Sequence, residues 1–562
     1  MKIKKLNKIN NLEGKKYMSQ NVARKYGLFM CLCMVVGTVI GTGIFFKNEG
    51  VYGFVNGNGI LGIIAWIIGG VVAISFGLSF MEISSAKQDS NSGIALYAKM
   101  FAGSKFGRVV RNAMNNIYLP LTAFTVAYYT SKASVWAIGG GQDAEMRLAN
   151  VLGGSNVYEL LLSIFAVLYT LFVIVCCIYN ESISKWVQMI TVVLKLIPLI
   201  FIGVAGLIVV NAGAGAFLET GLGDPKKYEI VKKKGHFEML LMALPGILFA
   251  FDGFLSTTYI QKDVRNSSKN IPLALVFGLT GITFIYVLTS ISTLNLDPSG
   301  SVAIAAGKIF NNPTVNAVCT RLIFIFILIS AFGTLNGYCF SMTKLTRSSL
   351  DDGFVVGNDK IWQKVINRFG IKTATLMVMG VLFAVWIVIM ALPTIVTDDN
   401  YNFFDFISNA GVVMAFMLYG VIIFYGLLNR YRKKIKTLNA WYFIPAAIIS
   451  ILCITLILGY NVYSYFALLV TSENKVGAIL QIFFLLLILA LPWLGLFMKD
   501  NELENDNEAG NASELGQSTS DNGTTNNFSN DNNVPEIYVS LGQITSNETG
   551  NDSEFGDEIT EL

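Results

Sequence analysis

Stretches of about 20 predominantly apolar residues recur along the chain, beginning near Gly27, Gly59, Val109, Val157, Ser184, Met239, Ile271, Arg321, Thr373, Phe403, Ala440 and Gly477. At roughly 1.5 Å of rise per residue, each is long enough to cross the hydrocarbon core of a bilayer. In hydrocarbon every backbone N–H and C=O needs a partner inside the segment, which makes each run an α-helix. The pattern predicts an all-α integral membrane protein of about twelve transmembrane helices over residues 27–498. Asn115 and Asn116 in the third run, with Asn409 and Gly411 in the tenth, interrupt the apolar pattern and predict surfaces turned toward a cavity.

Two runs carry interruptions of another kind. The first contains Gly37-Thr38-Val39-Ile40-Gly41-Thr42-Gly43-Ile44-Phe45, three glycines among small and β-branched residues at mid-membrane. Such a stretch is poised to unwind. Unwound backbone in hydrocarbon leaves unpaired groups costing several kcal/mol each, so it persists only against a polar cavity or a bound solute. Close helix packing through Gly37-X-X-X-Gly41 is the competing reading. The sixth run tips the balance with Leu248-Phe249-Ala250-Phe251-Asp252-Gly253-Phe254. An aspartate at that depth costs roughly 2.5 to 3.5 kcal/mol on insertion scales and marks a functional position. Runs one and six start on opposite sides, so five-helix units beginning at each predict a 5+5 inverted-repeat core with interrupted helices 1 and 6, followed by two C-terminal helices.

Charge sets the expected orientation. Lys and Arg crowd the segment before Gly27 and the even-numbered connections, notably Arg430, Arg432, Lys433, Lys434 and Lys436 in the tenth. These belong in the cytoplasm, which places both termini there. The fifth connection dissents with Lys226, Lys227, Lys232, Lys233 and Lys234, interspersed with acids. No Lys or Arg follows Lys499, whereas 15 of the 37 acidic residues do. Residues 1–26 therefore read as a basic cytoplasmic N-terminus, and 499–562 as an acidic, Asn-rich, disordered cytoplasmic tail. The basic residues lie in short connections between apolar runs, so topology explains them and no nucleic-acid partner is expected. The bilayer is the partner. The overall 53% hydrophobic and 14% charged content fits a membrane class, since soluble domains carry about 25% charged residues. Six of seven cysteines lie inside apolar runs and the single His236 in a connection. No metal site, cofactor or His-based catalytic constellation is expected from them, and the chain does not read as an enzyme.

Gly41-Thr42-Gly43-Ile44-Phe45, Phe249-Ala250-Phe251-Asp252-Gly253 and the following Asp263-Val264-Arg265-Asn266-Ser267-Ser268-Lys269-Asn270-Ile271-Pro272 together resemble amino acid permeases of the amino acid-polyamine-organocation superfamily. Ser330-Ala331-Phe332-Gly333-Thr334-Leu335-Asn336-Gly337, followed by Arg347 and Asp351-Asp352-Gly353, is similar to the family's eighth helix and its loop. The resemblance runs from about Gly27 to Phe497 and implies a substrate held between the unwound parts of helices 1 and 6. Gly41, Thr42 and Gly43 would offer N–H groups to a carboxylate. Ile40, Phe249, Ala250 and Asp252 would supply carbonyls near an ammonium, and Gly253 is a further expected substrate-binding position. Phe251 or Phe254 would either gate the site or pack. Lys195, in the middle of the fifth run, looks like the lysine that in some members takes the space of a bound sodium ion. It would either exchange a proton during the cycle or bridge helices 1 and 5 as a fixed cation. Glu82 resembles a family acid but reads as an interfacial cap or loop partner. Asn115, Asn116 and Asn336 read first as interhelical hydrogen-bonding residues.

The implied function is secondary active transport of amino acids across the plasma membrane by alternating access, with proton symport or exchange for a counter-transported amino acid. The alternatives are a polyamine or organic cation carrier, and a transporter-like amino acid receptor signalling through the acidic tail. The selected side chain and the oligomeric state are not legible.

Overall fold

The computed structural model describes residues 25–86, 91–141, 143–209, 234–310, 312–354, 359–396, 403–471 and 475–498. The expected N-terminal segment up to 24, the lysines at 226, 227, 232 and 233, and the tail from 499 onward lie outside the described residues.

All the regular structure described is helical. In chain order the α-helices are α1 (Leu28–Val39), α2 (Gly43–Phe54), α3 (Gly59–Ser84), α4 (Ile94–Ala102), α5 (Ser104–Asn112), α6 (Leu119–Gly139), α7 (Asp143–Leu152), α8 (Ser155–Tyr179), α9 (Glu181–Ile208) and α10 (His236–Phe251). They continue as α11 (Ser267–Leu296), α12 (Val302–Ala306), α13 (Pro313–Asp351), α14 (Asp359–Val396), α15 (Phe403–Arg432), α16 (Phe443–Thr471) and α17 (Lys475–Ala490). Ten helical segments among the described residues are long and apolar enough to cross a bilayer, and the α1–α2 pair makes an eleventh when counted as one bent span. The third predicted run is not among them. Its residues form α5, a π-helical segment at Ala113–Tyr118 and α6, whose first half is dense in Thr and Tyr. The described helices thus bear out an all-α membrane protein.

Short elements fill the connections: α4, α7 and α12 are too brief to span and escape a 20-residue window. The two interrupted runs cross in opposite senses. Tyr26, just before α1, accepts the N–H of Arg265 at 2.8 Å and donates to the carbonyl of Asp263 at 3.0 Å, so the start of the first run lies against the end of the sixth. α2 packs along α10. Around this pair α11 lies on α3, α13 on α6, and α9 on both α11 and α13. The lipid-facing sides of α8, α9 and α16 leave large apolar side chains exposed, as hydrocarbon solvent permits.

Candidate functional site

The two breaks meet at the centre. α1 ends at Val39, Ile40 is extended, and α2 leaves Gly43 at 42° to α1. α10 ends at Phe251, Asp252 is extended, and Gly253 takes φ +88° before a 3₁₀ segment, Phe254–Asp263. That left-handed turn suits glycine because a Cβ would clash with the backbone. Gly41 and Gly43 are needed for proximity instead. A Cβ on Gly43 would stand 2.4 Å from the Cα of Ala250, and one on Gly41 2.4 Å from the hydroxyl of Thr334. The breaks are therefore both unwound and closely packed, combining the two sequence readings.

Each freed carbonyl needs a donor, and side chains of neighbouring helices supply them. Lys195 of α9 is wholly buried and its ammonium donates to the carbonyls of Gly37 at 2.7 Å and Ile40 at 2.5 Å. Thr334 of α13 lies 3.1 Å from both carbonyls and from the Lys195 nitrogen. The Tyr286 hydroxyl of α11 lies 3.1 Å from the carbonyls of Val39 and Ala250, bridging one break to the other. Thr38 donates to the Gly253 carbonyl at 2.9 Å.

Asp252 is the acid of this centre. Its Oδ2 accepts the Tyr118 hydroxyl at 2.6 Å and that of Tyr338 at 3.3 Å. Its buried Oδ1 has no hydrogen-bond partner among the described residues. A carboxylate oxygen away from water gains from every donor it can reach, so this atom is the open valence of the site. Tyr118 arrives through the π-helical segment, an irregularity common at functional positions. Trp386 of α14 donates its indole N–H to the carbonyl of Asn116 at 2.8 Å within that segment.

One turn from the breaks, on the α2 and α10 side, Lys47 is buried with its ammonium 4.7 Å from the Phe249 ring centroid and 5.7 Å from that of Tyr129. The same nitrogen reaches Ser408 at 3.3 Å and Asn409 at 3.4 Å on α15. Phe46 stacks on Trp136 at 4.7 Å and beside Tyr129 at 4.9 Å. These groups roof the site.

The expected residues Ile40, Gly41, Thr42, Gly43, Phe249, Ala250, Phe251, Asp252, Gly253 and Lys195 are brought to one region, with differing surroundings. The Ile40 and Ala250 carbonyls already hold Lys195, Thr334 and Tyr286. Thr42 stands at the N-cap of α2 without a side-chain cap, in front of the first N–H groups of that helix, which lack intrahelical partners. Phe251 packs on Tyr286 and Trp66, and Phe254 on Phe80, Phe416 and Tyr419, so both are core side chains here. Asn336 bonds Ser184 and Gln188 across helices, while Asn115 bonds Thr346, as their interhelical reading has it. Glu82 accepts the N–H groups of Asn439 at 2.8 Å and Ala440 at 3.1 Å, a loop partner. The reading passed over Tyr118, Tyr286, Tyr338, Thr334 and Lys47. Tyr118 follows the asparagines by two and three residues, Thr334 lies inside the Ser330–Gly337 stretch with Tyr338 directly after it, and Lys47 stands two residues beyond Phe45, whereas Tyr286 had no such neighbour.

The fold and this centre define a polytopic helical membrane protein with two broken helices facing each other. Residues 26–491 match the amino acid permease family, and the chain belongs to it. It is thus a transporter of the amino acid class rather than an enzyme. It is 25% identical to an uncharacterized protein of Mycoplasma pneumoniae, over 76% of this chain and 82% of that one. It is 24% identical to the serine/threonine exchanger SteT of Bacillus subtilis over 58% and 67% of the two chains. It is 22% identical to the b(0,+)-type amino acid transporter 1 of Mus musculus over 77% and 81%.

Proposed function

We propose that this chain moves amino acids across the plasma membrane by alternating access, as a proton symporter or an amino acid exchanger, with both termini in the cytoplasm. The carrying observation is the meeting of the two breaks beside an acid with one unpartnered buried oxygen. The N–H groups at Gly41, Thr42 and Gly43 receive the α-carboxylate, favoured by the positive end of the α2 dipole. With the Ile40 and Ala250 carbonyls engaged by side chains and the Phe249 carbonyl accepting the Asp252 N–H at 3.3 Å, the ammonium goes to the Asp252 carbonyl and carboxylate and to the remaining lone pair of the Phe249 carbonyl. Runs one and six, crossing in opposite senses, open five-helix units of a 5+5 inverted repeat that rock about this centre. Lys195 is the coupling residue, taking the place of a coupling cation against the first break. The serine/threonine exchanger among the relatives favours exchange.

A second substrate reading rests on Asp252 Oδ1: a side-chain cation would pair with it, which favours basic amino acids or other organic cations. Uptake of a labelled amino acid panel into proteoliposomes, with and without a pH gradient or internal amino acid, tests both. Serine or threonine flux driven by internal amino acid is the expected result. Preference for lysine or arginine selects the second reading, and absence of flux for every amino acid rejects transport, leaving a receptor.

A further inference from the structure

We infer that the connection between α15 and α16 is a binding site for the headgroup of an anionic phospholipid. The connection joins Arg432, the last residue of one span, to Phe443, the first of the next, so it sits at the membrane boundary. Two observations make it more than a basic loop.

Its backbone is held in one shape from beneath. The buried Glu82 carboxylate at the end of α3 accepts from the Thr437 hydroxyl at 2.6 Å and from the N–H groups of Asn439 and Ala440. Ser85 accepts the Leu438 N–H at 2.9 Å, and the Asn429 amide clasps both backbone groups of Ile435 at 2.9 and 3.0 Å. Lys433 and Asn439 adopt left-handed backbone conformations, with φ of 51° and 60°, within this clasp.

The cations that the shape presents are unspent. Arg432, Lys433, Lys434 and Lys436 are all exposed, and none pairs with an acid among the described residues. Tyr431 is 78% exposed and Trp441 83%, flanking the cations at either end. Aromatic rings of this kind settle at the headgroup level, and lysines beside them meet phosphate there. An ordered loop with four unpaired cations between two interfacial aromatics is complementary to a surface bearing negative headgroups and apolar chains together. A soluble polyanion would use the cations and leave Trp441 in water.

The test uses the full-length chain in detergent, titrated with short-chain phosphatidylglycerol while thermal unfolding is followed, since a ligand that binds the folded state raises the midpoint. Lys433→Gln/Lys434→Gln/Lys436→Gln is expected to weaken the apparent affinity at least tenfold, given about fivefold per surface cation. Trp441→Ala is expected to weaken it severalfold. Phosphatidylcholine should give the same small shift in all three proteins, and that shared baseline also shows that the variants fold. Unchanged phosphatidylglycerol affinity in the triple variant overturns the inference. So does stabilisation by glycerol phosphate at the same concentrations, which would assign the cations to a soluble phosphate. Neither readout depends on transport, so failure here is separate from failure of the proposed function.

Discussion

Lys195 makes the strongest single-residue case. Its ammonium, Thr334 and two carbonyls of the first break form one closed cluster, so the residue completes the hydrogen bonding of the unwound backbone. Removing it leaves buried carbonyls short of donors, at about 1–3 kcal/mol for each unsatisfied group. A purely structural cation and a coupling residue differ in what a second cation does. Lys195→Ala should lower thermal stability and abolish or strongly reduce transport. Lys195→Arg retains a charge while barring proton release. Under proton coupling it should fold yet lose the response of uptake to a pH gradient. Uptake by Lys195→Arg with the wild-type pH profile would return the residue to a bridging role. The lysine stood out in the sequence because mid-membrane cations are rare. The first run was expected as its partner in the bridging role, but which carbonyls it would meet, those of Gly37 and Ile40, was not, since a freed carbonyl carries no sequence mark of its own.

Element by element, the breaks were legible and their supports were not. Glycine spacing in the first run and the Asp-Gly pair in the sixth announce irregular backbone. The hydroxyls that serve it come from Tyr286 and Thr334, and one that serves the Asp252 carboxylate from Tyr338, all on helices distant in sequence and of residue types that apolar helices also carry for packing. The third run shows the same limit. Its asparagines suggested a cavity-facing surface; Asn115 accepts from Thr346 of α13, the half-buried Asn116 side chain bonds Asn112 and Asn115 of its own run, and the π-helical segment turns Tyr118 toward Asp252. The close approach of α2 to α10 yields a prediction at this scale. Gly43→Ala places a methyl against the Ala250 backbone, which cannot yield as a flexible side chain would. Separating the two half-helices should lower the melting temperature modestly and remove the upward shift that substrate gives the wild type. Gly50→Ala, on the same helix with open space where its Cβ would stand, is the matched control and should keep that shift. Loss of substrate protection in both variants would mean that helix content rather than proximity is being read.

At the scale of the whole molecule, side-chain ties lie on either side of the paired breaks, an arrangement that the proposed alternating access would use. On one side of the breaks Lys47 joins α2 to α15 above Phe249. On the other, Lys344 of α13 joins Glu181 at 3.0 Å to Asp263 at 3.1 Å, where the sixth run ends, and Arg111 pairs with Asp352 nearby. A protein that opens to one face at a time sits on a conformational balance, and a tie at one end favours closure there. Weakening a tie shifts the population toward opening at its own end, and the apparent affinity measured from a face scales with the fraction open to it. Lys47→Met should therefore improve apparent substrate affinity from the face nearer Lys47 and worsen it from the other. Lys344→Met should do the reverse. Both substitutions keep the length of the buried stem and remove the charge, so packing loss is similar in the two. Uptake into proteoliposomes of defined orientation, with Km measured separately from each face, reads the balance directly. If both variants move both values in the same direction, the two lysines stabilise the fold as a whole and the ties are not gates. Opposite movement would locate the hinge between them, at the paired breaks where α1 and α10 unwind.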